Sequence, residues 1–254
     1  MPVLFPTTVD EATTALAAHP ESMLLAGGTD AMVGINDGHH RPGATVISVN
    51  RIADLRSWRH DPDSGTLTVG AGVTYTELMD ASIAGLVPAL AEASRTVGSP
   101  QIRNAGTLGG NLATSSPAGD GLPVLSALNA VVHLAAAGST RDVDVNDFMV
   151  GVKRTALKPG EIITGVTVPI VEGWQGYAKV GVRNAMVIAV ASTCVVVDQT
   201  RRTIAVALGS VGPTILRCPD AESFLASRID WDSLIASDAD QAEFGRLVSG
   251  ASQP

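Results

Sequence analysis

An α+β fold is predicted for this 254-residue chain, in three successive parts (1–55, 56–170 and 171–254), and three features predict it. Two tetrads, Thr8-Val9-Asp10-Glu11 and Thr74-Tyr75-Thr76-Glu77, place an acid three residues after a threonine, the capping-box pattern that opens helices. Two short apolar runs, 23–26 and 45–49, have strand length, and the first stops at Gly27-Gly28. Residues 177–209 are β-rich, and the chain from Pro219 onward has a helical pattern.

In the first part, Val9, Ala12 and Leu16 carry the Thr8 cap into a helical stripe that ends before Pro20. Met23-Leu24-Leu25-Ala26 reads as a buried strand feeding a glycine turn, and Thr45-Val46-Ile47-Ser48-Val49 as a second buried strand. Together they make a small α/β unit. Gly38-His39-His40-Arg41-Pro42-Gly43 reads as a surface loop. In the second part, Leu67-Thr68-Val69-Gly70-Ala71 alternates as a strand, and the Thr74 cap opens a helix through Leu78 and Met79. A further helix over 86–97 sets Leu86, Leu90, Ala93 and Val97 on one side and halts at Gly98-Ser99-Pro100. Beyond a glycine-rich run at 104–120, a short apolar helix is expected over 121–128, then strands over 131–136, 141–145 and 162–168. In the third part, Trp174 and Gly176 mark a change of subdomain. A strand is expected over 177–182, and 188–197 and 203–209 pair as a hairpin about 198–202. Ala221, Phe224 and Leu225, then Phe244 and Leu247, make the tail helical.

Composition excludes several classes. A net charge of −8 and 4% aromatic residues argue against a nucleic-acid binder. With 45% apolar and only 17% charged residues, the surface is sparsely charged, as in a protein partly covered by partners. The first six residues lack a basic region followed by an apolar run. The longest apolar window, 186–197, is interrupted by Ser192 and Thr193 and falls short of a membrane span, so a cytoplasmic protein is expected. Cys194 and Cys218 are too few and too far apart for an iron–sulfur cluster or a zinc site, and read as reduced, buried thiols. No residues have metal-ligand spacing: His39-His40 reads as a solvated loop and His133 as a strand residue. No nucleophile motif is present, so no catalytic side chain is predicted, and any chemistry belongs to a bound cofactor.

The run Asn104-Ala105-Gly106-Thr107-Leu108-Gly109-Gly110-Asn111-Leu112-Ala113-Thr114-Ser115-Ser116-Pro117-Ala118-Gly119-Asp120 collects glycines, hydroxyls, two amides and one carboxylate with almost no bulk. Such a backbone suits close approach to a ligand, with positive φ available at its glycines. Its main-chain N–H groups, with Thr107 and Thr114, would hold phosphate oxygens. Asn111 offers donor and acceptor. Asp120 cannot sit beside a phosphate without repulsion, and so would accept from a sugar hydroxyl or a base. The alternative for these residues is a rigid Ω-like loop tied by internal hydrogen bonds. Ala26-Gly27-Gly28-Thr29-Asp30 presents a similar surface at the carboxyl end of a strand, where ligands gather in α/β sheets. It is neither a Walker motif nor a Rossmann fingerprint. Together the two segments are expected to close on one phosphate-bearing ligand.

With both segments in this order, the chain resembles the FAD-binding medium subunit of the molybdenum hydroxylases, the xanthine dehydrogenase and carbon monoxide dehydrogenase family. Leu25 to Asp30, Ile102 to Asn111, Ser116 to Asp120 and Tyr177-Ala178-Lys179-Val180-Gly181-Val182-Arg183-Asn184-Ala185 carry the resemblance, which runs from about Phe5 to Leu225. It implies a two-subdomain flavin-binding fold (of the PCMH, vanillyl-alcohol-oxidase-like type) plus a smaller C-terminal β-sheet and helix subdomain, with FAD extended in the cleft. By match, Ala26, Gly27, Gly28 and Thr29 hold the pyrophosphate with Thr107, Gly109, Gly110 and Asn111, and Leu25 and Asp30 flank the first segment. Thr114 and Asp120 match contacts toward the adenosine half, Lys179 a cofactor-contacting lysine, and Ile188 a position near the isoalloxazine ring. For Lys179 and Ile188, a surface charge and core packing are the alternatives. The resemblance further implies a large molybdenum-cofactor subunit and a small subunit with [2Fe–2S] clusters as partners, in a dimer of heterotrimers that passes electrons through FAD to an external acceptor. Family members continue beyond a segment like Gly250 to Pro254 into a further helix. Set against this is a nucleotide- or phosphosugar-binding module without redox activity, or a scaffold with a vestigial pocket.

Overall fold

The computed structural model describes residues 2–38 and 45–253. The loop expected at 38–43, with His39 and His40, lies outside the described residues from position 39 onward. The first helix, Val9–Ala18, starts as its capping box dictates: Thr8 Oγ1 accepts from the Glu11 amide at 3.1 Å. The Glu11 carboxylate reaches one residue further back than the pattern requires, accepting from the Thr7 amide at 2.7 Å. The helix accompanies a three-stranded parallel sheet with Val46–Ser48 in the middle, between Val3–Leu4 and Met23–Leu25. Val46–Ser48 is wholly buried, as its apolar run predicts. Met23–Leu25 is not: it is an edge strand, Leu24 is 38% exposed, and Leu24 and Leu25 line a cavity instead of a core. A short helix, Ala31–Asn36, follows the glycine turn. Nothing in the sequence announced it, because Asp30 makes no side-chain cap.

The second sheet is antiparallel, with strand order Trp58–Asp61, Thr66–Gly70, Ile162–Pro169, Val131–Ala136, Ser139–Asp144. The Thr74 capping box forms in full, Glu77 Oε2 accepting from the Thr74 amide at 2.8 Å and Thr74 Oγ1 from the Glu77 amide at 3.2 Å. It opens only a 3₁₀ turn, Glu77–Met79, because Asp80 caps a new short helix, Ala81–Ala84, by accepting from the Ser82 amide at 2.9 Å. The third sheet is an antiparallel meander of Gly173–Val180, Ala191–Asp198, Thr203–Gly209 and Leu216–Arg217. The expected hairpin about 198–202 is present, but residues 188–190 lie outside the strand. Arg183 donates from Nε to the carbonyls of Ala185 and Met186 (3.1 Å each), which holds 181–190 as a loop. Helices Pro219–Ala226 and Asp238–Gly250 cover the end of this sheet.

One apolar core joins the second and third sheets. Val69, Val132 and Val166 meet Leu90 of helix Pro88–Thr96 and Leu122 and Leu125 of helix Gly121–Ala127, and the cluster continues into Cys194, Val196 and Ala207. A smaller cluster ties the first sheet's side to the second, through Ala12, Val49, Ile52 and Leu55 with Ala135 and Ile162. Leu55, buried there, contributes about 1.5–3 kcal/mol relative to exposure. Both cysteines are free and buried, and burial pushes Cys194 up to about 12 and Cys218 to about 11. Neither is a thiolate nucleophile near neutral pH. Among the described residues, no helix is long and apolar enough to cross a membrane.

Candidate functional site

The glycine-rich run is not an open loop. Pro100–Ala105 is a helix capped by Ser99, whose Oγ accepts from the Ile102 amide, with proline in its first turn. Leu108–Thr114 is a second helix, capped by Thr107, whose Oγ1 accepts from the Gly110 amide at 3.0 Å. Serine before proline and threonine three residues before glycine are the signals that could have revealed both. Positive φ is therefore found at neither Gly109 nor Gly110. In this site it occurs at Gly28 (φ +72°) and at Ser115 (φ 45°), which ends the second helix.

The missing side chains serve close packing. A Cβ on Gly109 would stand 2.5 Å from the Ala71 Cβ, so Leu108–Thr114 lies directly on the end of strand Thr66–Gly70. A Cβ on Gly27 would stand 1.8 Å from the Ala105 carbonyl oxygen and 2.6 Å from its carbon. The two glycine segments thus touch backbone to backbone, with Gly27 as the point of contact.

Between them lies a cavity of about 410 Å³, within the usual range for small-molecule sites. Its walls come from Leu24 to Ala31 and from residues between Thr107 and Gly119, and its floor from Val49, Leu55, Ala71, Gly72, Ile162 and Ile163. Of the residues predicted from sequence, Leu25, Ala26, Gly27, Gly28, Thr29, Asp30, Thr107, Gly109, Gly110, Asn111, Thr114 and Ile188 line it. Tyr75, Leu157 and Glu161 also line it and were not predicted, because nothing local marks a turn tyrosine or a buried glutamate as a wall of a distant cleft.

Main-chain donors divide unevenly between the walls. The amides of Leu108, Gly109, Gly110 and Asn111 are spent on the Val73 carbonyl, the Ala71 carbonyl, the Thr107 hydroxyl and the Thr107 carbonyl. The expectation that these amides hold a phosphate is corrected accordingly. The amides of Gly27, Gly28, Thr29, Asp30 and Ala31 have no partner among the described residues. With Gly28 in the left-handed region, that turn has the backbone form of an anion-binding concavity. On the opposite wall the side chains carry the polarity. Thr107 Oγ1 accepts from Gly110 and keeps its own proton to donate. Asn111 Oδ1 is buried without a hydrogen-bond partner, a costly state. Gly119 and Gly121 make room for Asn111: a Cβ on either would approach its amide to 2.5 and 2.9 Å.

Asp120 and Lys179 are not brought to the cavity wall. Lys179 Nζ lies 2.8 Å from Asp120 Oδ2, both side chains are 7% exposed, and Lys179 also donates to the Thr96 carbonyl. The Tyr177 hydroxyl donates to Asp120 Oδ1 at 2.8 Å. Burial first, and Asp120's charge second, push the Tyr177 phenol well above its usual range, so it stays a donor. The predicted contacts of Asp120 to a sugar or base and of Lys179 to a cofactor are replaced by this mutual pairing. It fastens the third sheet to the carboxyl end of the glycine-rich run. Tyr75, raised mainly by burial and then by Asp120, is likewise a neutral phenol in the cavity wall.

Glu161 is held by Arg141, whose Nε and Nη2 donate to its two oxygens at 2.6 and 2.8 Å, and it accepts from the Lys158 amide at 2.7 Å. The Arg141 hydrogen bonds are the main cause of a carboxyl held below its usual 4.5. A depressed acid contributes stability that is present above its unfolded value and is lost as pH falls through the folded one. Glu161→Gln is therefore expected to flatten the acid limb of the stability curve below about pH 5, read from urea midpoints at each pH.

The family described as the FAD binding domain in molybdopterin dehydrogenase matches residues 1–171. The chain belongs to this family. Among relatives of this FAD-binding domain, the nicotinate dehydrogenase FAD-subunit of Eubacterium barkeri is 36% identical over 193 residues, which are 73% of this chain and 64% of that one. The xanthine dehydrogenase FAD-binding subunit of Escherichia coli O157:H7 is 29% identical over 85% of this chain and 75% of its own. Among solved structures, carbon monoxide dehydrogenase from Hydrogenophaga pseudoflava superposes with a TM-score of 0.82 at 27% identity, covering 99% of this chain and 95% of that one. The superposition reaches past the matched domain into the third sheet and its helices, in agreement with the α+β fold and C-terminal subdomain expected from sequence.

Proposed function

We propose that this chain holds FAD between its two glycine segments and serves as the electron-transfer subunit of a molybdenum hydroxylase. Its electrons come from [2Fe–2S] clusters on a small partner and leave to an external acceptor. The observation that carries the binding reading is the asymmetric lining. Gly27 to Ala31, with five unspent amides, line one side of the cavity, and Thr107 and Asn111 line the other. That donor set fits a pyrophosphate on one side and a group with N–H or O–H donors on the other.

In this reading the turn at Gly27 to Ala31 grips the pyrophosphate, with Thr107 and Thr114 opposite. Gly109 and Gly110 keep the second wall flat. Leu25 and the floor residues Val49, Ile162 and Ile163 exclude water from the apolar parts of the ligand. Ile188, 77% exposed on its loop, lines the cavity and would help hold the isoalloxazine ring. Tyr75 and Tyr177 keep their protons, and no side chain acts as an acid or base on a substrate. Bound FAD supplies the exchange between single and paired electrons. The division at about residues 55 and 170 is supported by the three larger sheets, each of which lies within one part.

A large molybdenum subunit and a small iron–sulfur subunit are the proposed partners, as a dimer of heterotrimers in the cytoplasm. Exposed Val180, Val182, Met186, Ile188 and Val190 form an apolar stretch beside the cavity, of the kind that partners cover. The test is to co-express the chain with the two proposed partner subunits and add the hydroxylase substrate anaerobically. Bleaching of the visible flavin band, with recovery on adding an acceptor, is expected. A complex whose clusters reduce while the flavin band stays unchanged contradicts the electron-transfer role. A non-redox nucleotide module is not favoured by the family match.

A further inference from the structure

We propose that Lys153 is the cation that neutralises the cofactor's pyrophosphate, leaving Asp30 for a phosphate oxygen when the ligand binds. This rests on the FAD reading above. Among the described residues, the cavity is lined by two acids, Asp30 and Glu161, and by no lysine or arginine. A dianionic group entering such a site meets repulsion unless a positive charge stands close by.

The two acids differ in how firmly their charges are balanced. Glu161 is locked by the two-pronged Arg141 contact, which also donates to the Ala156 carbonyl, so Arg141 is committed. Among the described residues Asp30 is balanced only by Lys153, at 3.8 Å between Nζ and Oδ1, with both side chains about 60% exposed (61% and 60%). A pair of that length and exposure holds its partners weakly. Lys153 is free to change partner, and Asp30 already stands in the wall whose amides are unspent.

Its main chain fixes where the charge can go. The Lys153 amide donates to the Ser115 carbonyl at 3.0 Å, and Ser115 is the left-handed cap that ends Leu108–Thr114. Lys153 turns the small hairpin of Met149–Gly151 and Arg154–Thr155 at φ +51°, a conformation that residues other than glycine seldom adopt. One residue therefore spans both glycine segments, anchored to the downstream one by its backbone and reaching the upstream one by its side chain. A compact ammonium on a flexible stem suits that swing.

The test is FAD titration of the full chain by fluorescence quenching, in wild type, Lys153→Gln, Lys153→Arg and Asp30→Asn, and in the Asp30→Asn, Lys153→Gln double variant. At low salt Lys153→Gln should weaken FAD about fivefold, the upper range for a solvent-exposed charge pair. The difference should fade in about 1 M salt, where screening is complete within a few ångströms. Lys153→Arg should keep wild-type affinity, and Lys153→Gln should still cost affinity in the Asp30→Asn background. Three results overturn the assignment: no loss in Lys153→Gln, a loss that persists at high salt, or a loss that disappears once Asp30 is neutral. The last would mean that the lysine acts only by restraining Asp30. A wild-type chain that takes up no FAD refutes the FAD reading and this inference with it. Tight wild-type binding with an equally tight Lys153→Gln refutes this inference alone.

Discussion

Gly27→Ala should empty the cavity of flavin. A methyl group there would lie 1.8 Å from the Ala105 carbonyl oxygen, and both the oxygen and its carbon belong to backbone that cannot rotate away. Relief requires the two glycine segments to part. Overpacking of this kind costs about 1–3 kcal/mol. Because the segments are the two walls of the site, the cost falls on ligand binding as well as on folding, and about 1.4 kcal/mol already lowers affinity tenfold. Flavin retained per chain after gel filtration is the readout, and a drop of at least tenfold is expected. Gly28→Ala tests the turn's conformation without the backbone clash. It strains a left-handed residue by about 1–2 kcal/mol but meets only the Leu25 and Met32 side chains, at 3.4 and 3.6 Å. Gly109→Ala, 2.5 Å from the Ala71 Cβ, should follow Gly27→Ala in severity. Gly110→Ala, which meets the Thr107 hydroxyl at 3.0 Å, should be mildest. Wild-type flavin content in Gly27→Ala would contradict the backbone contact between the segments.

Lys179→Met should be the most destabilising substitution outside the apolar core, at about 3–5 kcal/mol. It leaves the Asp120 carboxylate 7% exposed with Tyr177 as its remaining side-chain donor. Asp120→Asn strands the ammonium in the same way. The double variant should be more stable than the sum of the two losses predicts, because no unpaired charge remains. Tyr177→Phe should cost about 1–2 kcal/mol, the loss of one hydrogen bond to a charged group. Urea unfolding of the flavin-free chain checks all four. This series also separates the two accounts of the residues. If Asp120 and Lys179 bound FAD directly, Lys179→Met would weaken cofactor binding while leaving the flavin-free chain stable.

Much of the fold was legible where the determinants are local. Thr8 and Thr74 cap as their neighbours Glu11 and Glu77 require, and strands 131–136 and 203–209 have the bounds that their patterns give. The chemistry of the two glycine segments was legible for the same reason, since small and polar side chains without bulk have few other uses. The conformation was not. Glycine was read as licence for positive φ, whereas Gly27 and Gly109 are small because another backbone or side chain stands against them, from residues 78 and 38 positions away in sequence (105 − 27 and 109 − 71). The same limit hid the pairing of Asp120 with Lys179, the place of Glu161 behind Arg141, and the reach of Lys153 to Asp30. Each depends on a register or a turn that brings distant residues together. A carboxylate and a lysine in two ligand-like motifs look the same in sequence whether they meet a cofactor or each other. The predicted burial of Met23–Leu25 failed for a related reason: an apolar strand that faces a cavity is patterned like one that faces a core.

The central claim is that the space between Gly27 to Ala31 and Thr107 to Thr114 is a flavin site. It is tested most directly by stripping the purified full chain of any bound ligand and titrating it with FAD, with the flavin released afterwards and identified. The account predicts saturable binding of one intact FAD per chain, lost in Gly27→Ala. A correctly folded wild-type chain that takes up no FAD, or one that binds it equally well with Gly27 replaced by alanine, would contradict it.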